Sequence, residues 1–196
     1  MRLLYTPTSP YARKVRIALR EKGIACEEVF VPPSDSAVAD QNPLGKVPAL
    51  ARDDGRALYD SPVILQYLEL VAPTPALYPA DAPARVEALR WEALCDGICD
   101  ATVTRMLEGR RASPEAGALA HQEAKIARGL AAVERDLAGR AFAVGDTYSV
   151  ADVAAAATVG YVDLRAGALL DAYPKLRVWY KAQLARPSVA ATVPPR

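Results

Sequence analysis

The sequence predicts an α/β domain at the N-terminus and an all-α domain at the C-terminus. Up to about residue 71, short strand patterns alternate with helical patterns. Residues 72–82 then form a segment of prolines and small residues, which marks a domain boundary. Beyond that segment only helical patterns follow. We therefore predict an α/β domain over residues 1–74, a linker over 75–82 and a helical domain over 83–196.

The first strand leads directly into a helix. Arg2 to Tyr5 predict a short buried strand, and turn residues follow it. Ser9 and Pro10 predict a helix start, because serine caps the free amides of the first turn and proline suits the first helical position. Gly23 predicts the end of the helix. The basic residues expected largely off its apolar face are Arg13, Lys14, Arg16 and Arg20.

A second strand, a hairpin and a second helix complete the first domain. Cys26–Val31 predicts the strand, parallel to the first because a helix joins them, and residues 36–41 predict a brief helical turn. Pro48 begins the next strand, and a turn at residues 53–56 forms a hairpin. Residues 60–62 (Asp-Ser-Pro) open a helix by the same cap-then-proline pattern. This order of elements is that of the thioredoxin fold.

The sequence of the second domain predicts a set of helices. Residues Ser149 to Asp152 predict a capping box in which Asp152 takes the acidic position. The helix after this box is too apolar to face water, so we expect it in the middle of the domain. The predicted helices cover residues 83 to about 108, 115 to 137, 153 to about 161 and 174 to 185.

Composition excludes several classes of function. The formal net charge of +1 favours neither nucleic acid nor an anionic membrane as a partner, and we expect no apolar run near the roughly 20 residues that span a bilayer. A strand at the start of the chain predicts no secretion signal. Three scattered cysteines predict reduced thiols, so we expect a cytoplasmic protein. With His121 as the one histidine, the sequence predicts neither a zinc set nor a Ser-His-Asp site.

Residues 9–12, Ser-Pro-Tyr-Ala, look like the Cys-Pro-Tyr-Cys site of glutaredoxins with both thiols removed. Dithiol–disulfide exchange is therefore excluded at this position. A serine or tyrosine that acts on the thiol of a bound ligand is the arrangement of glutathione transferases. Four segments resemble that family in the family's order: Ser9–Tyr11, Asn42–Pro48, Asp60–Ser61 and Ser149–Asp152. The resemblance covers essentially the whole chain and implies the glutathione transferase architecture.

The resemblance implies a set of glutathione-binding residues. The peptide bond before Pro48 is cis in the family, and the backbone of the preceding residue, here Val47, pairs with the cysteinyl part of glutathione as a further strand would. Asp60 and Ser61 correspond to the residues that bind the γ-glutamyl end, with helix capping as the alternative interpretation. Lys46 is a candidate for the glycyl carboxylate. A solvated lysine is the alternative there, and Arg13 competes for the role.

Ser9 is the predicted catalytic residue. A hydroxyl that donates a hydrogen bond to a thiolate lowers the thiol pKa, and a helix N-terminus acts in the same direction. A lowering of about two units corresponds to roughly 2.7 kcal/mol of preferential stabilisation of the thiolate. The alternative is that Ser9 only caps the helix, and Thr8 could share the role. Tyr11 is predicted to contact glutathione or flank the electrophile, or else to pack.

The sequence therefore predicts a homodimeric glutathione transferase of the detoxification type. It would bind reduced glutathione as co-substrate, without a metal, and promote attack of its thiolate on a small electrophile. The alternatives are a scaffold protein of the same fold and a glutathione-dependent peroxidase or dehalogenase. Arg105 could line the electrophile site or form a surface salt bridge. Asp96 and Asp100 could reach the partner subunit's ligand, and Cys95 and Cys99 are expected to be packing residues.

Overall fold

A mixed four-stranded sheet organises the first of two units. The computed structural model describes residues 1–32 and 36–195, and the first unit contains Met1–Tyr78 together with the chain from Pro187 onward. The sheet order is β2-β1-β3-β4, with β1 parallel to β2 and antiparallel to β3, and β3 antiparallel to β4. The elements are β1 (Arg2–Tyr5), α1 (Pro10–Glu21), β2 (Glu27–Phe30), α2 (Ser36–Gln41), β3 (Ala49–Ala51), β4 (Ala57–Leu58) and α3 (Ser61–Val71). The predicted order of strands and helices is confirmed.

The register of the sheet brings three chain segments to one edge. Leu4, near the end of β1, pairs with Ala49 at the start of β3. Leu50 pairs with Leu58 at the end of β4. Because β3 runs antiparallel to both neighbours, its first residues lie beside the last residues of β1 and β4. The segments that follow β1, precede β3 and follow β4 therefore meet at the same edge.

The basic residues of α1 differ from the prediction. Arg13 is only 2% exposed and Lys14 only 1%, although both were expected largely off the buried face. α8 (Pro187–Ala190) and the residues after it supply the hydrogen-bond acceptors of Arg13. Arg13 donates from Nη2 to the carbonyl oxygen of Val189 at 3.3 Å, and from Nε to Oγ1 of Thr192 at 3.5 Å. The last residues of the chain thus pack in the first unit, whereas the sequence assigned them to the helical domain.

The second unit, Pro79–Arg186, is helical in its described residues. Its elements are α4 (Ala82–Gly109), α5 (Ala116–Leu137), α6 (Val150–Ala166), a 3₁₀-helix (Gly167–Ala172) and α7 (Pro174–Gln183). The predicted capping box is confirmed: Ser149 caps α6, and the buried Asp152 accepts from the Ser149 backbone amide at 2.9 Å. Every residue from Val150 to Val162 is buried, so α6 forms the core of this unit as predicted.

The length and apolar composition of α6 and the 3₁₀-helix after it correct the expectation about apolar runs. By length and composition the 23-residue helical stretch Val150–Ala172 is apolar enough to cross a membrane, because an 18-residue window within it has a mean hydropathy of 1.3. The prediction that no run approaches this length was therefore wrong. Most of the stretch is buried inside the second unit, as expected of a core helix.

Candidate active site

Ser9 lies at the N-terminus of α1, at the sheet edge where β1 ends. It is the N-cap residue, and its Oγ accepts a hydrogen bond from the amide of Ala12 at 3.2 Å. Pro10 occupies the first helical position, as predicted. A hydroxyl has two lone pairs and one proton, so the cap uses an acceptor site and leaves the proton available for donation. Capping and stabilisation of a thiolate are therefore compatible roles for Ser9.

The segment before β3 contains a cis peptide bond between Val47 and Pro48, as the resemblance implied. Within the residues that the structure describes, neither the N–H nor the C=O of Val47 has a backbone partner. Pro48 is buried, while Lys46 is exposed. A partly buried backbone with unused hydrogen-bonding groups at a sheet edge can pair with an extended peptide as an added strand would.

Asn42 holds this segment in place, and sequence reasoning missed it. Its side chain is 3% exposed, donates from Nδ2 to the carbonyl oxygen of Lys46 at 2.8 Å and accepts from the amide of Leu44 at 3.1 Å. Its own carbonyl accepts from the amide of Gly45, a residue at φ +61°, where glycine is the favoured residue. The signal was present in the sequence, because asparagine before a proline and a glycine commonly builds such turns.

Asp60 and Ser61 begin α3 in a different way from Ser9 and Pro10. Asp60 is the N-cap residue, but its side chain makes no capping hydrogen bond and is exposed. Ser61 is the first helical residue and is only 1% exposed. The capping interpretation therefore explains neither side chain. An exposed carboxylate that the helix does not use can accept hydrogen bonds from a ligand ammonium group, and the helix N-terminus favours a ligand carboxylate.

The sheet edge thus collects complementary groups. The N-termini of α1 and α3 supply amides, Val47 supplies unpaired backbone groups, Asp60 supplies a carboxylate, and Ser9 supplies a hydroxyl. An extended peptide can pair with the backbone of Val47, and the helix N-termini favour negative charge on a bound group.

Several other candidate residues occupy defined places. Tyr11 is half-buried in the first turn of α1. Arg13 cannot compete with Lys46 for an external carboxylate, because its guanidinium is buried against the C-terminal residues. Thr8 lies in the turn before Ser9 and is half-buried. The assignment of Tyr11, Lys46 and Thr8 to glutathione stays a prediction.

In the helical unit, the structure supports the structural interpretation of Arg105 that was given beside the functional one, and the interpretation of Cys95 and Cys99 as packing residues. Nε of Arg105 pairs with Oε1 of Glu123 on α5 at 2.7 Å, which is the salt bridge given as the alternative to an electrophile site. Cys95 and Cys99 are buried, and Sγ of Cys99 lies 3.3 Å from Oγ1 of Thr158 on α6, consistent with packing residues. His121 is exposed on α5.

Residues 1–32 and 36–195, which the structure describes, contain no candidate metal site. No three His, Cys, Asp or Glu side chains in these ranges come together in a group that could hold a metal ion. The absence of a metal stays a prediction.

A thioredoxin-like sheet in one unit and a helical second unit define the class of this protein. Residues 3–76 match the family model of the glutathione S-transferase N-terminal domain, and residues 116–182 match that of the C-terminal domain. The GST-like protein YibF of Escherichia coli K12 is 37% identical over 100% of both chains. The chain therefore belongs to the glutathione S-transferase family, and the predicted architecture is confirmed.

Similar proteins bind glutathione or carry isomerase names. The structure of a glutathione S-transferase from Methylobacterium radiotolerans in complex with glutathione sulfonate is 44% identical, with a TM-score of 0.94, and covers 100% of this chain and 95% of that one. A glutathione-bound transferase from Methylobacillus flagellatus is 42% identical, with a TM-score of 0.95 and 99% coverage of both. Maleylacetoacetate isomerase of Pseudomonas aeruginosa is 34% identical over 88% of this chain and 85% of its own.

Proposed function

We propose that this protein is a glutathione transferase that binds reduced glutathione at the sheet edge of the first unit and promotes attack of its thiolate on a small electrophile. The observation that carries the proposal is the position of Ser9, whose hydroxyl accepts from Ala12 and retains its proton at a helix N-terminus. A thiol placed there ionises more readily, because the hydroxyl proton and the helix dipole both favour the charged form. The thiolate is the nucleophile.

The remaining contacts follow from the groups at the edge. The cysteinyl backbone of glutathione pairs with Val47, beside Pro48. Its γ-glutamyl ammonium group binds Asp60, and its γ-glutamyl carboxylate lies against Ser61 at the N-terminus of α3. Lys46, which is exposed, meets the glycyl carboxylate. Tyr11 flanks the sulfur or the electrophile.

We also propose a cytoplasmic homodimer that needs no metal and acts in detoxification. Reduced cysteines support the compartment, since a cytoplasmic protein keeps its thiols free. Exposed apolar side chains on α3, Val63 at 45% and Leu70 at 80%, support a partner surface.

An isomerase that uses glutathione at the same site is the second candidate. A relative named maleylacetoacetate isomerase, similar over most of its length, favours it. The sequence speaks against it, because residues 8–10 are Thr-Ser-Pro and the Ser-Ser-Cys motif of maleylacetoacetate-isomerising members is absent. Both reactions require the same glutathione thiolate, so Ser9 has the same role in each.

The decisive experiment measures the pKa of the bound thiol. Ultraviolet difference titration of the glutathione complex reports the thiolate, and we expect its pKa about two units below that of a free thiol. Ser9→Ala should raise this pKa by most of that difference while glutathione still binds. Thr8→Val is the matched control and should leave the pKa unchanged.

Two results would overturn parts of the proposal. If Thr8→Val raises the pKa and Ser9→Ala does not, Thr8 is the donor. If calorimetric titration of the wild-type protein shows no saturable binding of glutathione or S-methylglutathione, the enzyme proposal fails and the scaffold alternative takes its place.

A further inference from the structure

The hydroxyl of Thr6 links the end of β1 to the end of β2. Thr6 follows β1 directly, and its Oγ1 donates a hydrogen bond at 3.0 Å to the carbonyl oxygen of Val31, which follows β2 directly. The amide of Val31 in turn donates to the carbonyl oxygen of Tyr5 at 2.9 Å. The parallel pairing of the two strands ends at Tyr5 and Phe30. The Thr6 side chain therefore adds one hydrogen bond beyond the end of the strand ladder.

Val31 is a buried fixed point for this hydrogen bond. It is only 5% exposed and belongs to a buried apolar cluster with Leu4, Val38 and Ala49. Leu4 and Ala49 pair with each other across β1 and β3, so the cluster is part of the sheet. Thr6 is half-buried, and its β-branched side chain has few rotamers to lose when the hydroxyl binds. The hydroxyl thus attaches the Thr6 backbone to the core of the first unit.

Thr6 also closes the turn that leads to Ser9. The amide of Ser9 donates to the carbonyl oxygen of Thr6 at 2.9 Å. This hydrogen bond closes a four-residue turn over residues 6–9, in which Pro7 occupies the second position, where proline is favoured. Ser9 is therefore bound to the same residue that the hydroxyl attaches to the core. The position of Ser9 relative to the sheet depends on Thr6.

The hydrogen bond from Ala12 fixes Ser9 only relative to its helix. Oγ of Ser9 accepts from the amide of Ala12 at 3.2 Å, which orients the hydroxyl with respect to α1. In the proposed site the cysteinyl backbone of glutathione pairs with Val47, which precedes β3 in the sheet. A hydrogen bond from Ser9 to the sulfur therefore requires a fixed distance between the start of α1 and the sheet edge. Functional groups must be held within about 0.5 Å of the productive geometry, and the Thr6 hydroxyl provides such a connection.

We propose that Thr6 is a positioning residue whose hydroxyl, through the turn at residues 6–9, holds Ser9 where it can donate its proton to the sulfur of bound glutathione. In this role Thr6 neither contacts the sulfur nor transfers a proton. The inference rests on the proposed function and adds a residue to the same site. Loss of the Thr6 hydroxyl should preserve the pairing of the peptide with Val47. It should weaken the hydrogen bond from Ser9, so that the thiolate is stabilised less.

Ultraviolet titration of the bound thiol tests this role in two backgrounds, the wild-type protein and Ser9→Ala. Thr6→Val keeps the branched shape of the side chain and removes the hydroxyl. We expect it to raise the pKa of the bound thiol by about one unit, which lowers the ratio of thiolate to thiol about tenfold. Thr6→Ser retains a hydroxyl and should retain the wild-type pKa. In the Ser9→Ala background Thr6→Val should cause no further change, because a positioning residue acts only through the residue that it positions.

Two controls separate positioning from a general loss of structure. S-methylglutathione has no free thiol, so its calorimetric affinity reports binding of the peptide alone, and Thr6→Val should leave this affinity unchanged. Thr158→Val is the matched control, because Thr158 is buried in α6 and its hydroxyl also donates to a backbone carbonyl, that of Cys95, at 3.2 Å. It should leave the thiol pKa unchanged.

Three results would overturn the positioning role. The first is an unchanged thiol pKa in Thr6→Val. The second is an equal rise of the pKa in the wild-type and Ser9→Ala backgrounds, because Thr6 would then act independently of Ser9. The third is a loss of S-methylglutathione affinity as large as the loss in the ratio of thiolate to thiol, because Thr6 would then support the whole site.

Hydrogen exchange of the ligand-free protein distinguishes this inference from the proposed function. The Ser9 amide, which binds the Thr6 carbonyl, should exchange about fivefold faster in Thr6→Val when it is followed by NMR. If the wild-type protein binds no glutathione but the exchange is faster in Thr6→Val, the proposed function fails and the link from Thr6 to Ser9 stands. If the wild-type complex has a lowered thiol pKa that Thr6→Val does not change, the positioning role fails and the proposed function stands.

Discussion

The side-chain amide of Asn42 donates to the carbonyl oxygen of Lys46 at 2.8 Å, and this bond ties the start of the turn to the residue before Val47. Because Asn42 is buried and also accepts from Leu44, it is the main fixed point of the segment that presents the Val47 backbone. Its effect on a ligand is indirect, through the position of that backbone.

Replacing Asn42 by alanine should weaken glutathione binding and destabilise the first unit together. Loss of two side-chain hydrogen bonds at a buried position should cost about 1–3 kcal/mol of unfolding free energy. Glutathione affinity, measured by calorimetry, should fall about tenfold or more. Asp40→Ala, two residues away and exposed, is the control and should change neither quantity. Full retention of affinity in Asn42→Ala would remove this turn from the glutathione site.

Unlike Asn42→Ala, a substitution at Asp60 should weaken glutathione binding with little effect on stability. Its carboxylate makes no capping hydrogen bond, so Asp60→Asn should alter the free energy of unfolding by less than about 0.5 kcal/mol. Glutathione affinity should fall at least tenfold, because a charged acceptor for the γ-glutamyl ammonium group is lost. Calorimetric titration and urea denaturation of the same samples check both parts. The exposed Asp146→Asn serves as control, and an unchanged dissociation constant in Asp60→Asn would refute the γ-glutamyl assignment.

Glu28 predicts a pH dependence of stability. Burial alone would raise the pKa of Glu28, but hydrogen bonds from Arg20 and Arg16, the latter at 2.7 Å, outweigh burial and lower it. The folded state therefore prefers the ionised form. This stabilisation is present above the ordinary glutamate pKa of 4.5 and is lost as the pH falls through the lower folded pKa.

The measurement is urea denaturation of the wild-type protein and of Glu28→Gln at pH 7 and at about pH 3.5. We expect a difference of about 1 kcal/mol at pH 7, modest because the pair is partly solvated, and a smaller difference at the acid pH. Glu27→Gln, on the same strand but exposed, should behave like the wild-type protein at both values. A difference that grows on acidification would contradict the assigned direction.

Gly129 is required by close packing of α5 against α4. A Cβ atom at this position would lie 2.5 Å from Cγ1 of the buried Ile98, closer than any van der Waals contact. Gly129→Ala should therefore destabilise the protein by about 1–3 kcal/mol despite the better helix propensity of alanine. At Gly97 on α4 an added Cβ meets no atom within 4 Å, so Gly97→Ala should be neutral or stabilising by up to about 1 kcal/mol. Thermal unfolding of the two variants provides the comparison, and equal melting temperatures would refute the packing argument.

The sequence was sufficient to predict features that depend on residues close together in the chain. The helix starts at Ser9–Pro10 and the capping box at Ser149–Asp152 depend on residues within one turn of each other, and both were confirmed. The burial of Arg13 was not predictable in this way, because its partner Val189 lies 176 residues away. Arg105 and Glu123 are separated by 18 residues on two helices, so only the packing of those helices reveals their pairing.

The segments that meet at the sheet edge were predictable by motif, but the contacts that support them were not. Asp60 and Ser61 carry a cap-like pattern, yet the helix makes no use of the Asp60 side chain. That distinction depends on the backbone angles at the start of α3, which the sequence does not specify. The asparagine before a proline and a glycine predicts a turn, but it does not show that the Asn42 side chain is buried and binds the backbone of Lys46 and Leu44.

The packing of α8 beside α1 has a consequence for synthesis of the chain. The ribosome synthesises the chain from the N-terminus, so the strands of the first unit leave the ribosome well before α8 does. Until those final residues appear, Arg13 lacks the acceptors at Val189 and Thr192 that it has in the finished protein. The unit that is translated first is thus completed last, and the intervening helical unit is an insertion within it.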